Sequence, residues 1–533
     1  MQVDMDRLFP TMDEIPEEHR IKEFKNGLNY LIDGKISKHD KPGMEVFSPI
    51  ILNKNSVRKP FKIGESPMLG KDEALSALEA AERAYASGMG VWPQMILKER
   101  IKHVEKFLEM IRPLEKEFVN LEMWEIAKPY KACCDEFRRT VKYIEDTIDI
   151  LHSMDTEENT IRNAKNFIAQ IRRCPLGVVL CMGPFNYPLN ETIAMLIPSL
   201  IMGNTVVMKL PKFGALCVVP LMEAFKECFP PGVINIINGD GAEIIPPIMA
   251  TGKITVLGFI GSAKVANKII NQHPSQNRLR TILGLEAKNP AFIFEDADLD
   301  LAVNECIEGS LEFNGQRCTA IKHIWVHENI ADKFLEKFNR AVDQQIVGNP
   351  WETNVVITPL PEERKTKFLD DLVSDAIAKG ARVTNDGGRK IYGNIYSPTV
   401  LYPVSKDMTI YGVEQFGPVI PVSTFSKLDD LYVYLQESIY GQQASIFSSS
   451  TENVAPLLDI LVNNVSRINL NSRCRRGPDE LPFTGRKNSA EGTLSIYDAL
   501  RSFSIRSLVV ANEQGRNIFL KTITSGDSKF LKV

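Results

Sequence analysis

Residues 313–319 read Phe-Asn-Gly-Gln-Arg-Cys-Thr. A helical apolar pattern, Leu299–Leu311, ends just before them, and Gly315 permits a sharp backbone. A cysteine displayed on a loop past such a glycine can act as an exposed nucleophile. The thiolate is the reactive form, and a neighbouring cation, here Arg317, would favour it. The same pattern also suits a buried structural Cys318. Residues 182–189, Met-Gly-Pro-Phe-Asn-Tyr-Pro-Leu, directly follow a short apolar run. Asn186 stands between Pro184 and Pro188, which stiffen the loop. A rigid side-chain amide suits an oxyanion-hole donor, although such a segment can equally be a plain turn.

Two further segments suit an anionic ligand. Lys209-Leu-Pro-Lys212 follows the next apolar run. Strand ends in parallel sheets face the ligand crevice, so a lysine there can reach a ribose or phosphate, or simply be solvated. Ile260-Gly261-Ser262 ends another run and opens a helix. Glycine, serine and a helix N-terminus make a site for a pyrophosphate, but the usual G-x-G-x-x-G fingerprint is missing.

The elements that must position these residues follow from periodicity. Helical patterns cover Glu73–Ser87, Leu97–Leu114, Phe118–Ala127 and Phe137–Asp155. Short buried strands then alternate with helices. The strands are Gly177–Met182, Thr205–Leu210, Val233–Asn238 and Val256–Ile260. The helices between and after them are Thr192–Ile201, Val218–Cys228, Ile244–Ala250 and Ala263–Asn271. The alternation resumes through Ala291–Phe294, Leu299–Leu311, Ala320–His327 and Ala331–Gln345, and again from Val419 to Phe447. Such alternation predicts a parallel α/β sheet covered on both faces. The first 70 or so residues are polar and proline-dotted and read as an extension leading into short strands. Asn469–Arg486, rich in Arg, Gly and Pro, reads as a functional loop.

With 533 residues, two to four domains of about 100–200 residues each are expected. A net charge of −4 argues against a general nucleic-acid or membrane-surface binder. No apolar run reaches the roughly 18–20 residues that span a bilayer, and Met1–Arg20 carries no secretory apolar stretch. The nine cysteines are irregularly spaced with no Cys-x-x-Cys pair, so neither a zinc ribbon nor a redox pair is indicated, no metal is expected, and a reducing, cytoplasmic location fits.

Taken in order, each at a strand end and followed by Glu414–Val419 (EQFGPV), these segments resemble the aldehyde dehydrogenase superfamily from about Glu45 to Val510. The resemblance implies NAD(P)-dependent oxidation of an aldehyde. Cys318 would attack the carbonyl, and Asn186 with the Cys318 N–H would hold the oxyanion. Hydride would leave to a nicotinamide, and water would hydrolyse the resulting thioester. Pro184, Phe185, Lys209, Gly261, Ser262, Glu414 and Phe416 would contact the cofactor. The implied fold is α/β, with a Rossmann-like cofactor domain (45–155 and 174–285) and an α/β catalytic domain (286–506). A small β oligomerisation arm (156–173 and 507–533) and an N-terminal extension (1–44) complete it. A homodimer or homotetramer would follow.

The segments FNGQRCTAIK and RCRRGPDELPFTG resemble the branch of non-phosphorylating glyceraldehyde-3-phosphate dehydrogenases. A phosphorylated aldehyde would then meet Arg139, Arg317, Arg476 and Tyr187, where arginine suits phosphate through paired hydrogen bonds. Each arginine can also be a surface charge. Two departures stand out. The superfamily's general base is the glutamate of a Glu-Leu-Gly-Gly-Lys motif, and here the segment reads Gly284-Leu-Glu-Ala-Lys288. Glu286, displaced by two positions, is the expected substitute. Lys212 stands where NAD-preferring members often carry a glutamate, so NADP is expected, with NAD possible. The alternatives are another aldehyde or semialdehyde dehydrogenase, a catalytically silent scaffold, or acyl transfer to coenzyme A.

Overall fold

The computed structural model describes residues 5–158, 160–362 and 364–532. Residues 1–4 of the expected extension and positions 159 and 533 of the expected arm lie outside that set. Val178–Met182, Thr205–Lys209, Ile234–Ile237 and Ile254–Ile260 are apolar at nearly every position. Strands of that kind need cover on both faces. With Arg280–Gly284 they form the parallel centre of an eight-stranded sheet. From Val178–Met182 the chain builds outward through Thr205–Lys209 to Ile234–Ile237. It then returns to the other side for Ile254–Ile260 and Arg280–Gly284. That reversal opens a crevice at the carboxyl ends of the strands. The helix Asn190–Ile201 is buried along its whole length. A Cβ on Gly183 would lie 1.8 Å from Thr192 Oγ1, so the chain can leave the central strand only through glycine.

A second, seven-stranded sheet is parallel except for the edge strand Arg382–Val383. Its strand Asn289–Ile293 shows the two-residue period of a sheet with two cores. Ala291 and Ile293 pack with Leu299–Leu311 and Ala331–Asp343, whereas Phe292 packs with Leu428–Glu437 and Thr451–Leu461.

The expected α/β fold is present, but several boundaries move. Helix Phe137–Asp155 begins earlier, at Tyr130, and runs to Glu158. Val218–Cys228 splits into a 3-10 turn, Leu216–Leu221, and a helix, Met222–Cys228, at a segment where Pro220 lacks an N–H to donate. Residues 1–44 are not an appendage. Asn29–Ile32 and Lys35–Lys38 form a hairpin at the edge of the first sheet, with fully buried Leu31 opposite Ile236. Leu8 and Phe9 enter the second sheet's core. Nor is 286–506 one unit. Ala490–Glu491 adds a strand to the first sheet, and Ile496, Leu500 and Phe503 join the first core, because that is where their apolar face finds cover. The arm is an antiparallel sheet of Ile161–Ala164, Phe167–Cys174 and Ile505–Ala511. It is not purely β: helix Arg516–Ser525 lies on it through Phe519 and Ile523.

Asn204 ties the returning segment to the first sheet. Its Oδ1 accepts from Leu176 N at 2.7 Å and Gly177 N at 3.1 Å. Its Nδ2 donates to Ser199 O at 2.9 Å and Phe503 O at 2.8 Å. The residue is fully buried. Asn204→Ala leaves Leu176 N, Gly177 N and Phe503 O without these partners, each at about 1–3 kcal/mol, while Ser199 O keeps the backbone N–H of residue 204. The thermal unfolding midpoint should fall by several degrees, and an unchanged midpoint would contradict this role.

Candidate active site

Every residue nominated from sequence lines one cavity of about 750 Å³ at the crevice between the two sheets. The oxyanion loop leaves Val178–Met182 through Gly183 and is braced from behind. Glu136 Oε1 accepts from the N–H groups of Leu189 and Asn190 at 3.0 and 2.9 Å. Lys128, fully buried, is ion-paired to Glu136 and to Glu122, donates to Asn186 O at 3.1 Å, and lies 3.8 Å from the centre of the Tyr187 ring. So placed, Asn186 Nδ2 donates to Gln316 O at 2.7 Å, two residues before the cysteine.

The cysteine loop is equally constrained. Phe313, Asn314 and Gly315 all have positive φ. A Cβ on Gly315 would lie 2.5 Å from Ser310 O, so this tight turn needs glycine. Asn314 is locked to Thr358 by two hydrogen bonds. Cys318 O accepts from Asn289 Nδ2 at 2.8 Å and Lys322 Nζ at 2.9 Å. The Cys318 N–H finds no acceptor among the described residues. Burial raises the thiol above its ordinary value, and the charge of Glu191 adds to this. Lys322 and a hydrogen bond from Gln442 act in the opposite direction without reversing it.

Arg317 does not supply the expected cation beside the thiol. Its guanidinium turns back onto the end of the preceding helix, donating to Glu308 O and Gly309 O at 3.0 Å and pairing with Glu312. Helix-end carbonyls attract such a donor. Glu286 also lies elsewhere than expected. Its carboxylate accepts from Ala263 N at 2.9 Å, at the start of helix Ala263–Ile270, on the cofactor side of the cavity. Glu191, not Glu286, is the carboxylate that bears most on the thiol.

At the cofactor end, Lys209 is buried with no acceptor among the described residues, and burial lowers its amine to about 8. A buried ammonium without a partner fits a ligand that brings hydroxyl or phosphate oxygens. Lys212 is exposed near the Phe213 ring and has no carboxylate partner. Ser262 caps the helix Ala263–Ile270 through Val265 N. Phe185 and Phe416 stack edge-on at 6.0 Å, and Glu414 Oε1 is fixed by Lys322 at 2.6 Å and Ala287 N at 3.1 Å.

At the other end, two arginines are already paired. Arg139 forms a two-point bond with Asp479 at 2.9 and 2.7 Å. Arg476 Nε donates to Glu191 Oε1 at 3.1 Å and Nη2 to Leu494 O at 2.9 Å, over the Phe483 ring. Arg476 Nη1 is buried with no hydrogen-bond acceptor among the described residues, with Asp479 Oδ1 3.9 Å away. Arg475 also lines the cavity, exposed and with no partner for its guanidinium among the described residues. Glu191, Asp479, Arg475, Lys128 and Gln442 were not nominated from sequence. Glu191 alone had a readable signal, as a carboxylate in an otherwise apolar helix.

Residues 44–508 match the aldehyde dehydrogenase family. An "NADP-dependent glyceraldehyde-3-phosphate dehydrogenase" of Streptococcus equinus is 32% identical over 489 residues, 91% of this chain and 97% of the relative. A "3-sulfolactaldehyde dehydrogenase" of Priestia aryabhattai is 26% identical, covering 87% of this chain and 94% of its own. The crystal structure of the NADP-dependent glyceraldehyde-3-phosphate dehydrogenase from Bacillus halodurans C-125, complexed with NADP, superposes with a TM-score of 0.82 at 30% identity. It covers 91% of this chain and 99% of that one.

Because burial disfavours the Cys318 thiolate, the group is mostly protonated at neutral pH and ionises only as pH rises past its raised value. Alkylation of Cys318 by iodoacetamide, followed by peptide mass spectrometry, should keep accelerating at pH values where a free cysteine peptide has levelled off. A plateau below that of the free peptide would contradict the placement.

Proposed function

The chain belongs to the aldehyde dehydrogenase family, and within it we propose that this protein oxidises a small anionic aldehyde of the glyceraldehyde 3-phosphate class with NADP, through a thioester on Cys318. The charge of the cavity carries this reading. Among the described residues eight basic side chains line it against five acidic ones, in a chain whose net charge is −4. A positive crevice on an acidic protein concentrates anionic ligands. The named activities of the streptococcal and Priestia relatives, on a phospho- and a sulfo-substituted aldehyde, support the same substrate class.

In this mechanism Cys318 Sγ, once deprotonated, adds to the aldehyde carbon. The developing oxyanion is received by Asn186 Nδ2 and the partnerless Cys318 N–H, donors already in place before reaction. What a bound nicotinamide supplies is a hydride acceptor. Lys209 meets the adenosine ribose, and Gly261 and Ser262 the pyrophosphate. Pro184 and Phe185 wall the cofactor cleft, and Glu414 and Phe416 hold the nicotinamide end. Lys212 meets the 2′-phosphate. The substrate anion is received by Arg476 Nη1, Arg475 and Tyr187, with Arg139 placed behind them by Asp479. Hydrolysis of the thioester releases the acid.

The arm is assigned to pairing with a second copy in a homodimer or homotetramer. Exposed Phe167, Leu508 and Val510 on its strands support this. All nine cysteines are free, which supports a reducing, cytoplasmic setting. Among the described residues no helix is long and apolar enough to cross a membrane.

A substrate panel tests the reading. D-Glyceraldehyde 3-phosphate with NADP, without inorganic phosphate, should give 3-phosphoglycerate at the highest kcat/KM. Equal efficiency on unphosphorylated glyceraldehyde would sink the anionic-substrate assignment. A charge-assisted hydrogen bond is worth about 1.5–3 kcal/mol, roughly 10–150-fold. Lys212→Glu should therefore shift the NADP-to-NAD ratio of kcat/KM by about that factor towards NAD. An unchanged ratio removes Lys212 from the site.

A further inference from the structure

Position 284, where the resemblance places the base that hydrolyses the thioester, is glycine. Its backbone is held on both sides, paired with Ile260 and with Ala490, so this segment does not swing to bring Glu286 across. Thioester hydrolysis needs a group to take a proton from water, and such a group contributes about 10²–10⁴-fold. The cavity must supply it from another wall.

Among the described residues five carboxylates line the cavity, each with at least one charged or hydrogen-bonding partner. Glu286 sits on Ala263 N. Glu414 is held by Lys322 and Ala287 N. Glu312 pairs with Arg317, and Glu362 faces Lys365 at 3.7 Å. Glu191 differs. It lies in the first turn of Asn190–Ile201, five residues after Asn186, so the helix that follows the oxyanion loop presents it on the same wall. Its backbone N–H bonds to Tyr187 O at 3.3 Å. Arg476 Nε holds one carboxylate oxygen at 3.1 Å, and the other has no donor among the described residues. Only 8% of the residue is exposed.

We propose that Glu191 is the general base for deacylation, using the carboxylate oxygen that Arg476 leaves unpaired. The assignment rests on the Cys318 thioester argued above. In the step, the water oxygen bonds to the thioester carbon while its proton passes to Glu191. The carbon–sulfur bond breaks, and its electron pair returns to Sγ, which recovers a proton as the acid leaves. No oxidant is consumed, and water is the only co-reactant. Arg476 is thereby shared, with Nε orienting the base and Nη1 left for the substrate anion.

Rapid mixing of Glu191→Gln with aldehyde and NADP tests this. Glutamine keeps the size of the side chain and an oxygen for Arg476. One equivalent of NADPH per site should appear in a burst at close to the parent rate, followed by turnover slowed about 10²–10⁴-fold. Hydroxylamine, which attacks a thioester without needing a base, should relieve the stall. The residual hydrolysis should rise with hydroxide concentration, unlike that of the parent. Turnover at the parent rate would overturn the assignment. So would loss of the burst together with turnover, which would make Glu191 a binding or structural group. A burst and stall in Glu286→Gln but not in Glu191→Gln would place the base at Glu286 instead. The burst reports the thioester and the stall reports Glu191, so the two ideas fail separately. No NADPH from the parent protein sinks the thioester and this assignment with it.

Discussion

Lys128 is the only cation in a fully buried set with Glu122 and Glu136, and it donates to the carbonyl of Asn186. Burying charges costs several kcal/mol apiece unless they are paired and hydrogen-bonded. Here Glu136 is satisfied further by two N–H groups of the oxyanion loop, and Lys128 rests on the Tyr187 ring. The ion pairs form among residues 122, 128 and 136, and their remaining hydrogen bonds go to the loop that carries Asn186. Asn186 then reaches the carbonyl of Gln316 and so fixes the distance between the oxyanion amide and the cysteine loop. Residues from the long helix, the first sheet and the second sheet are thereby held in one geometry.

Around that centre the cavity divides its charges by neighbour. At the cofactor end Lys209 and Lys212 carry no carboxylate partner among the described residues, which leaves their charge for a ligand. At the opposite end two arginines are matched with acids, Arg139 with Asp479 and Arg476 with Glu191. A paired guanidinium is held in place but has fewer N–H groups left to give. Arg476 Nη1 and the Arg475 guanidinium are left without a hydrogen-bond acceptor among the described residues. Burial outweighs Lys322 and Gln442 and holds the thiol above its ordinary value.

Cys318 was legible from the glycine-containing turn that ends helix Leu299–Leu311, and Asn186, Lys209 and Ser262 because each ends or follows an apolar strand, and strand ends in a parallel sheet converge on the crevice. The two-sheet alternation was legible for the same reason. Adjacency in sequence misled for Arg317, whose long side chain turns away from its neighbour towards helix carbonyls. Glu286 was the nearest carboxylate along the chain, but it faces the cofactor helix. Glu191 escaped because helix Asn190–Ile201 was started two residues late, at Thr192, which left its one acid outside. Between residues 346 and 418 the strands are two to four residues long, such as Ile391–Tyr392 and Thr399–Tyr402, too short to show a period. The hairpin at 29–38 was hidden in a polar stretch where only Leu31 is buried.

The proposed chemistry rests on a covalent acyl group at one sulfur among nine. Acid quenching of the protein during turnover with D-glyceraldehyde 3-phosphate and NADP, then peptide mapping by mass spectrometry, tests it directly. The account predicts a phosphoglyceroyl mass increment on the peptide carrying Cys318, absent when NADP is withheld. An increment on any other cysteine, or catalysis with no acylated peptide at all, would contradict it.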